Sequence, residues 1–225
     1  MDPQFWHERW ARGQTAFHEA DGNALLLRHL GALGLPEDAR LFLPLCGKTR
    51  DIGLLRDKGF RVVGAELSAR AVTQLFQDLA IKPDIKPWTG GHRYAAPGID
   101  IFVGDIFDLE PEALGPVDAI FDRAALVALP APMRARYAAH IAGLSRGAPQ
   151  LLITFAYDQQ AMDGPPFSVP PEEVAAHYAN TYRVVRLGGR MTKLRALDAV
   201  EETAWHLIPL NRLTAGEVSG QPWLP

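Results

Sequence analysis

The chain has 225 residues, 48% hydrophobic and 22% charged, which is typical of a globular protein large enough to bury a substantial core. A net charge of −3 gives no electrostatic reason to expect a nucleic acid or a membrane surface as partner, and one cysteine excludes a disulfide framework and a multi-cysteine metal site. With no signal-peptide pattern and no apolar run near the ~20 residues that span a bilayer, the sequence predicts a cytoplasmic protein.

Two helices are predicted before the first strand. Asp2 followed by Pro3 is a favourable helix start, with an N-cap and a proline at the first helical position. This helix places Trp6 and Trp10 on one face, because residues four apart are neighbours on a helix. We expect the second helix to begin at Asn23.

Strands and helices then alternate. The predicted strands are residues 40–45, 61–66, 99–103, 117–121 and 151–155, and the helices between them include one capped by Ser68 and one after Pro130. Continuous apolar strands separated by amphipathic helices predict a parallel sheet covered on both faces.

The last third has a different pattern. After a helix at residues 172–178, residues 182–187 and 204–210 are predicted as strands that pair antiparallel at one sheet edge. Residues 82–98 are rich in proline and glycine and predict a surface excursion with a small hairpin. Without repeats or a linker, the chain is interpreted as one domain with a helical cap (1–35), a core (36–210) and a tail (211–225).

The segments LFLPLCGK and VVGAEL carry the first functional signal. They predict a buried strand, a glycine turn, a short helix and a second strand that ends in Glu66, about 20 residues beyond the turn. At that spacing an acidic residue binds ribose hydroxyls in dinucleotide-binding folds. The turn has one glycine where a pyrophosphate-binding loop has three, which favours an adenosine ligand without phosphates.

Residues at the ends of successive strands fit such a ligand. Gly47 allows close approach of the backbone, Glu66 can accept from both ribose hydroxyls, and Asp105 can accept from the adenine amino group. Leu67 and Ile106 can sandwich the base. Taken singly, each carboxylate is more often a helix cap or a solvated turn residue; their order on successive strands favours the site.

Six segments resemble the thiopurine S-methyltransferase family. They are FWHERWARGQTAFHE, LFLPLCGKTRDIGLL, VVGAELS, GDIFDL, FDRAALVALP and GPPFSVP, and they follow in order from residue 5 to about residue 210. The resemblance implies a class I methyltransferase fold: a three-layer, Rossmann-like α/β sandwich with a seven-stranded sheet and an antiparallel C-terminal edge. It also implies S-adenosylmethionine as cofactor and methyl transfer to the sulfur of a small aromatic or heterocyclic thiol.

The resemblance also implies roles for individual residues. Cofactor contacts fall on Leu45, Glu66, Ile106 and Arg123, and Trp6, Trp10 and Phe17 close over the site and the acceptor. At the position of Asp105 the mammalian members carry a small hydroxyl residue, so this chain departs from their pattern, and the carboxylate is interpreted as a stronger adenine contact.

The implied reaction is an in-line displacement at a sulfonium methyl group. Catalysis then comes mostly from positioning and desolvation, because a thiolate is intrinsically nucleophilic and needs little help from a base. Arg123 is predicted as the catalytic side chain, orienting an electron-rich or anionic acceptor. The alternative is a structural ion pair of Arg123 with Asp122 or Glu66.

Other side chains have two interpretations each. Trp6 and Trp10 can form an aromatic lid near the sulfonium or simply pack their helix. Pro166 and Phe167 can form a wall of the acceptor pocket or belong to a rigid Gly-Pro-Pro turn. Cys46 has no base partner in the sequence and is interpreted as a small buried residue; no histidine spacing indicates a metal.

Three other functions stay open from the sequence. On the same fold the acceptor can be a halide, sulfide, or a selenium or tellurium oxyanion. A nicotinamide-dependent oxidoreductase is disfavoured by the glycine-poor turn, and a non-catalytic binding module is disfavoured by the retained polar residues. With no coiled-coil pattern, we expect a monomer whose partners are small molecules.

Overall fold

In the computed structural model, which describes residues 3–14 and 22–212, one mixed sheet holds nine strands. They are β1 (Arg40–Pro44), β2 (Arg61–Glu66), β3 (Asp84–Trp88), β4 (Gly91–Ala96), β5 (Ile99–Val103), β6 (Ala119–Arg123), β7 (Gln150–Ala156), β8 (Tyr182–Leu194) and β9 (Leu197–Pro209). Their order across the sheet is β3-β4-β5-β2-β1-β6-β7-β9-β8. The five central strands are parallel to one another: β5, β2, β1, β6 and β7. Strand β9 pairs antiparallel with β7 on one side and with β8 on the other. The predicted α/β class with an antiparallel C-terminal edge is confirmed.

Helices cover both faces of this sheet. They are α1 (Pro3–Ala11), α2 (Ala24–His29), α3 (Asp51–Asp57), α4 (Ala69–Asp78), α5 (Pro111–Leu114), α6 (Ala131–Leu144) and α7 (Pro171–Tyr178). Neighbouring strand residues alternate between two buried clusters, so that Phe42 packs on one face while Leu41 and Leu43 pack on the other. The apolar runs in the sequence are therefore strands buried on both sides.

Local sequence signals determine where several helices begin. The side chain of Asn23 accepts hydrogen bonds from the backbone N–H groups of Leu25 and Leu26, and Ser68 accepts one from Ala71. Each is the N-cap that the sequence predicts, because the side-chain oxygen satisfies N–H groups that have no partner within the helix. Asn23 also donates to Glu202 on β9 at 3.1 Å, which attaches α2 to the sheet.

The seven-stranded sheet implied by the resemblance is present, and the hairpin expected within residues 82–98 extends it. Strands β3 and β4 form that hairpin, and β4 pairs antiparallel with β5, so the hairpin joins the sheet edge. Without the hairpin, the order β5-β2-β1-β6-β7-β9-β8 reverses direction between β1 and β6. Ligands bind beyond the carboxyl ends of the strands at such a reversal.

Three strand predictions need correction. The fourth parallel strand is Ala119–Arg123 and not residues 117–121, because Asp118 lies before it and accepts a hydrogen bond from the Arg40 backbone N–H at 2.7 Å. The last two strands are 13 residues each, far longer than predicted. A register shift between Arg186 and Gly188 lets β8 continue through two glycines that the sequence marks as a strand end.

Candidate active site

A cavity of about 730 Å³ opens at the carboxyl ends of the parallel strands. Its size lies within the range of small-molecule sites, roughly 300–1,000 Å³. The turns after β1, β2, β5 and β6 line it, together with α1 and the hairpin formed by β8 and β9. Ten of the residues predicted for the site line this cavity: Trp6, Trp10, Leu45, Gly47, Glu66, Leu67, Asp105, Ile106, Arg123 and Pro166.

The turn after β1 is built around two left-handed residues. Leu45 has φ of +46° and Gly47 has φ of +54°. Gly47 adopts this conformation without steric cost, whereas a leucine in it is strained by about 1 kcal/mol or more. The N–H of Cys46 donates to the carbonyl of Ala65 at 3.0 Å, which holds the turn against β2.

Glu66 is fixed by the backbone on both sides. One carboxylate oxygen accepts from the N–H of Gly47 at 2.8 Å, and the other accepts from the N–H of Ser68 at 2.8 Å. The side chain is 6% exposed, and burial raises its pKa, while hydrogen bonds from Ser68, Gly47 and Leu67 lower it. Each carboxylate oxygen has a second lone pair, so Glu66 can still accept from a ligand in the cavity.

The turn after β5 contains both an exposed carboxylate and a buried apolar side chain. Asp105 accepts a hydrogen bond from the N–H of Phe107 at 2.9 Å, so one oxygen performs the capping function that was the alternative interpretation. The residue is nevertheless exposed and lines the cavity, as does the buried Ile106. Leu67 lines the cavity from the end of β2.

Asp122 and Arg123 end β6 with opposite orientations. Asp122 is fully buried, accepts from the hydroxyl of Tyr137 at 2.8 Å and from the N–H of Leu126 at 3.1 Å, and burial raises its pKa to about 6. Arg123 is partly exposed and lines the cavity. Because successive strand residues alternate between faces, this geometry does not favour an ion pair between Asp122 and Arg123.

A buried arginine ties two cavity walls together. Arg134 on α6 is 3% exposed and donates to the carbonyl of Leu129 at 2.8 Å and to the carbonyl of Ser168 at 3.0 Å. It also pairs with Glu173 at 2.6 Å. The segments before Pro130 and around Pro166 are thus fixed relative to each other.

The Gly-Pro-Pro segment contributes prolines to the cavity, whereas Phe167, predicted for the acceptor pocket, is not among the residues that line it. The N–H of Phe167 donates to the carbonyl of Val127 at 2.6 Å, and the guanidinium of Arg134 lies 5.6 Å from its ring centroid. The cavity is lined instead by Pro165 and Pro166. The hydroxyl of Tyr157 donates to the Pro166 carbonyl at 2.6 Å and holds this wall in place.

Helix α1 forms the wall opposite the strand ends. Trp10 is 4% exposed and Trp6 is partly exposed, and both line the cavity. The third aromatic residue of the predicted lid, Phe17, lies outside the described residues. Cys46 is buried, and desolvation followed by the charge of Glu66 raises the pKa of its thiol well above the ordinary value, as expected of an unreactive side chain.

Sequence reasoning missed a group of basic residues in the cavity. Arg9 on α1 lines it, as do Arg190, Lys193 and Arg195 near the tip of the β8–β9 hairpin. Their spacing in GGRMTKLRALD was the available signal, but that segment was assigned to the region between two short strands. Only the length of the two strands brings these side chains to the carboxyl edge of the sheet.

The residues present fit the adenosine of S-adenosylmethionine. Glu66 is a buried, pre-oriented acceptor, and Leu67 and Ile106 are apolar residues beside it in one cavity. The turn after β1 lacks the repeated glycines that would bind a pyrophosphate. Among the described residues no group of three His, Cys, Asp or Glu side chains could hold a metal ion. In the same part of the chain, no helix has the length and apolar character required to cross a bilayer.

Comparisons with known proteins agree with this geometry. A model of the family described as Thiopurine S-methyltransferase (TPMT) matches residues 1–207. A thiopurine S-methyltransferase of Xanthobacter autotrophicus is 54% identical over 188 residues, covering 83% of this chain and 88% of the relative. One of Gluconobacter oxydans is 45% identical over 208 residues, covering 92% of this chain and 94% of the relative.

Solved structures show the same fold at low sequence identity. A 1,6-didemethyltoxoflavin-N1-methyltransferase of Burkholderia thailandensis, solved with S-adenosylhomocysteine, has a TM-score of 0.61 at 15% identity and covers 92% of this chain and 87% of its own. A TehB-like methyltransferase of Corynebacterium glutamicum has a TM-score of 0.56 at 15% identity, covering 92% and 97%.

Proposed function

Since the chain belongs to the thiopurine S-methyltransferase family, we propose that its methyl acceptor is the sulfur of a small aromatic or heterocyclic thiol. The protein is an S-adenosylmethionine-dependent methyltransferase. The observation that carries the proposal for the acceptor is the composition of the cavity lining. One part is lined by the turns after β1, β2 and β5, and the other by apolar side chains beyond β6 and β7.

The first part would hold the cofactor. S-adenosylmethionine supplies a methyl group bonded to a positively charged sulfur. Glu66 would accept from the ribose hydroxyls, because its carboxylate is already oriented by the N–H groups of Gly47 and Ser68. Leu67 and Ile106 would flank the adenine, and the exposed oxygen of Asp105 would accept from its amino group.

The second part would hold the acceptor. Val127, Leu129, Met133, Phe155 and Pro165 line it, and these side chains suit a flat apolar body. Arg123 lines the cavity from the end of β6. Its guanidinium would orient the thiolate or a ring nitrogen of the acceptor, or bind the carboxylate of the cofactor.

The chain contributes position and water exclusion to the reaction. A thiolate attacks a methyl group without a strong base, so no proton relay is needed. Trp6 and Trp10 line the cavity opposite the strand ends and would exclude water from the reacting sulfur. The aromatic faces would also favour the positive charge of the sulfonium.

Incubation with methyl-labelled S-adenosylmethionine and a panel of acceptors tests the proposal. Aromatic and heterocyclic thiols should gain label at least about tenfold faster than sulfide, halides, selenite or tellurite, because only the thiols fill the apolar walls. A preference for the inorganic acceptors would contradict the proposal and support the metalloid alternative. Omission of the cofactor is the blank, and the Glu66→Gln variant is the matched control.

The proposal also covers the location, the oligomeric state and the partners of the enzyme. We propose a cytoplasmic enzyme that acts as a monomer on small molecules, without nucleic acid or membrane partners. The net charge of −3 supports this interpretation, since it offers no attraction to polyanions. Sedimentation analysis and cell fractionation would test it; a dimer or a membrane-bound fraction would contradict it.

A further inference from the structure

The turn after β5 (residues 104–109) is held from two sides by side chains that do not line the cavity. On one side, Nε2 of His140 on α6 lies 2.7 Å from the carbonyl oxygen of Ile106. A carbonyl oxygen can only accept, so Nε2 carries the proton in this contact. On the other side, Nε1 of Trp88 on β3 donates to the carbonyl of Val103 at 3.2 Å. Two donors from distant elements therefore fix the backbone at the start of the turn and within it.

Helix α6 also packs against an aromatic ring of the turn. The guanidinium of Arg136 lies 3.8 Å from the ring centroid of Phe107, and the ring centroids of Phe107 and His140 are 5.3 Å apart. Arg136 and His140 are four residues apart and thus share one face of the helix. His140 combines a hydrogen bond to Ile106 with a ring contact to the following residue, so one side chain holds both.

The hairpin formed by β3 and β4 packs directly on the other side of the turn. A Cβ atom at Gly104 would collide with the carbonyl oxygen of Gly90 and lie 2.9 Å from the indole of Trp88. The indole packs edge-on against Phe102, with ring centroids 5.6 Å apart. The N–H of Gly104 donates to the carbonyl of Glu66 at 3.0 Å. The turn is therefore held in one position relative to the strand end that carries the predicted ribose acceptor.

This position matters because the turn carries two of the side chains assigned to the adenine. The carbonyl groups of Val103 and Ile106 stand on either side of Asp105 in the sequence, so movement of either group displaces its carboxylate. A hydrogen bond from an amino group to a carboxylate needs donor and acceptor about 2.7–3.2 Å apart. A displacement of about 1 Å is enough to lose it, so such a contact requires side chains that fix the turn from outside the cavity.

We propose that His140 and Trp88 are positioning residues for the cofactor: they hold the turn after β5 so that Asp105 meets the 6-amino group of adenine and Ile106 meets its face. The two residues thereby make the site selective for a 6-aminopurine. This inference rests on the proposed function, because it takes the adenine to lie beside Asp105 and Ile106.

Calorimetry with S-adenosylhomocysteine and S-inosylhomocysteine tests this role without turnover. The two ligands differ in the base, where inosine has a carbonyl oxygen in place of the 6-amino group. The wild type should bind the adenosine compound at least about tenfold more tightly, because the Asp105 carboxylate accepts from an amino group but repels a carbonyl oxygen. Equal binding of both ligands by the wild type would overturn the proposal, since no selectivity would remain for the two residues to maintain.

Three histidine variants assign the selectivity to the hydrogen bond. His140→Phe keeps a ring beside Phe107 but removes the donor to Ile106, and should lower the selectivity about fivefold through weaker binding of S-adenosylhomocysteine. His140→Gln has an amide that can donate to the same carbonyl, and should stay within about twofold of the wild type. His7→Phe is the matched control, because His7 is exposed on helix α1 and does not line the cavity. It should keep the wild-type selectivity.

Trp88→Phe tests the hairpin side in the same assay. This variant keeps a ring against Phe102 and removes the donor to Val103. It should lower the selectivity by a factor similar to that of His140→Phe, because both variants release the same turn. Wild-type selectivity in Trp88→Phe would refute the role of Trp88.

A purely structural role of His140 gives a different result. If His140→Phe lowers Tm but weakens both ligands equally, or weakens neither, the residue stabilises the fold and its positioning role is refuted. A His140→Gln variant no closer to the wild type than His140→Phe would also contradict this role. No acceptor enters the binding assay. A protein that shows the expected selectivity but methylates no thiol would therefore refute the proposed acceptor and support the positioning role.

Discussion

At the scale of single residues, the proposed binding of ribose by Glu66 depends on the charge of this side chain as well as on its position. Each carboxylate oxygen accepts one backbone N–H, from Gly47 or from Ser68. Replacing Glu66 with Gln puts an NH₂ group opposite one of these donors and removes the charge that a ribose hydroxyl would bind. A hydrogen bond to a charged group contributes about 1.5–3 kcal/mol, so we expect S-adenosylhomocysteine to bind roughly 10–100-fold more weakly.

Titration calorimetry would measure this loss for Glu66→Gln. Glu37→Gln is the control, because Glu37 is exposed on a loop and does not line the cavity. Circular dichroism of both variants would establish that they are folded. An affinity of Glu66→Gln within twofold of the wild type would refute the ribose role of this carboxylate.

Asp122 is the residue whose environment predicts a pH effect. Burial raises its pKa from 3.8 to about 6, so in the interval between these values the folded state binds more protons than the unfolded state. The contribution of Asp122 to the free energy of unfolding therefore decreases as the pH rises from about 4 to about 6. Asp122→Asn keeps a partner for Tyr137 and Leu126 but does not titrate.

The stability of Asp122→Asn relative to the wild type should therefore increase with pH. We expect a rise of about 1–3 kcal/mol between about pH 4 and pH 7, since one pKa unit corresponds to about 1.4 kcal/mol. Urea denaturation at successive pH values measures it. Asp57→Asn, at an exposed position, is the control; a constant difference for Asp122→Asn would contradict the prediction.

At the scale of elements, the loop around Pro166 is positioned by a side chain that does not itself line the cavity. The hydroxyl of Tyr157 donates to the Pro166 carbonyl at 2.6 Å. Tyr157→Phe removes this hydrogen bond, worth about 1 kcal/mol, and should raise the KM for the acceptor roughly fivefold through movement of the proline wall. The affinity for S-adenosylhomocysteine should change less than about twofold, because its predicted contacts lie on other turns.

Steady-state kinetics at saturating S-adenosylmethionine, with calorimetry alongside, would test Tyr157→Phe. Tyr94→Phe is the matched control, since Tyr94 lies on β4, packs against Phe76 and does not line the cavity. A loss of cofactor affinity as large as the change in KM would show a general destabilisation and not a positioned wall.

The sequence predicted the elements whose signals are local. β2 and β5 were predicted with correct bounds, because each is an apolar run delimited by polar or glycine residues. The two long C-terminal strands were truncated in the prediction, because their exposed halves carry alternating basic and small residues that are equally common in loops. Their pairing across 13 residues is a tertiary effect that no local pattern contains.

The residues of the site also divide into those with a local sequence signal and those brought together only by the tertiary fold. Gly47, Glu66 and Ile106 lie at the end of a strand or just after one. The carboxyl ends of parallel strands share one edge of the sheet, so these residues line one cavity. Arg9 and Arg195 are far apart in sequence and meet only through α1 and the hairpin. Phe167 was assigned to the pocket from its neighbours in sequence, whereas its ring lies near the guanidinium of Arg134.

At the scale of the whole molecule, the cavity joins both ends of the described chain. Helix α1 provides one wall, the turns of the parallel strands provide the floor, and the β8–β9 hairpin closes the side beyond β7. The predicted division into a cap (1–35), a core (36–210) and a tail (211–225) stays a prediction, and most of the tail lies outside the described residues. A ligand in this cavity contacts elements from the whole length of the fold, so its binding energy should stabilise all of them together.

This coupling gives a prediction for thermal stability. A ligand at about 100 times its Kd stabilises the folded state by about 2.7 kcal/mol, and in a chain of this size each kcal/mol raises Tm by about 2–4 °C. S-adenosylhomocysteine at that concentration should therefore raise Tm by roughly 5–10 °C. Differential scanning calorimetry measures the shift, and Glu66→Gln at the same ligand concentration should show about half of it or less.

The same scan distinguishes the methyltransferase from the nicotinamide-dependent alternative. NADH contains an adenosine, but its pyrophosphate would meet a turn with one glycine and a left-handed leucine. NADH should therefore raise Tm by less than about 1 °C at the concentration at which S-adenosylhomocysteine gives its full shift. An equal shift with both ligands would mean that the cavity recognises adenosine alone, and that the glycine-poor turn does not discriminate between them. A larger shift with NADH would contradict the assignment of the strand-end turns to a phosphate-free cofactor.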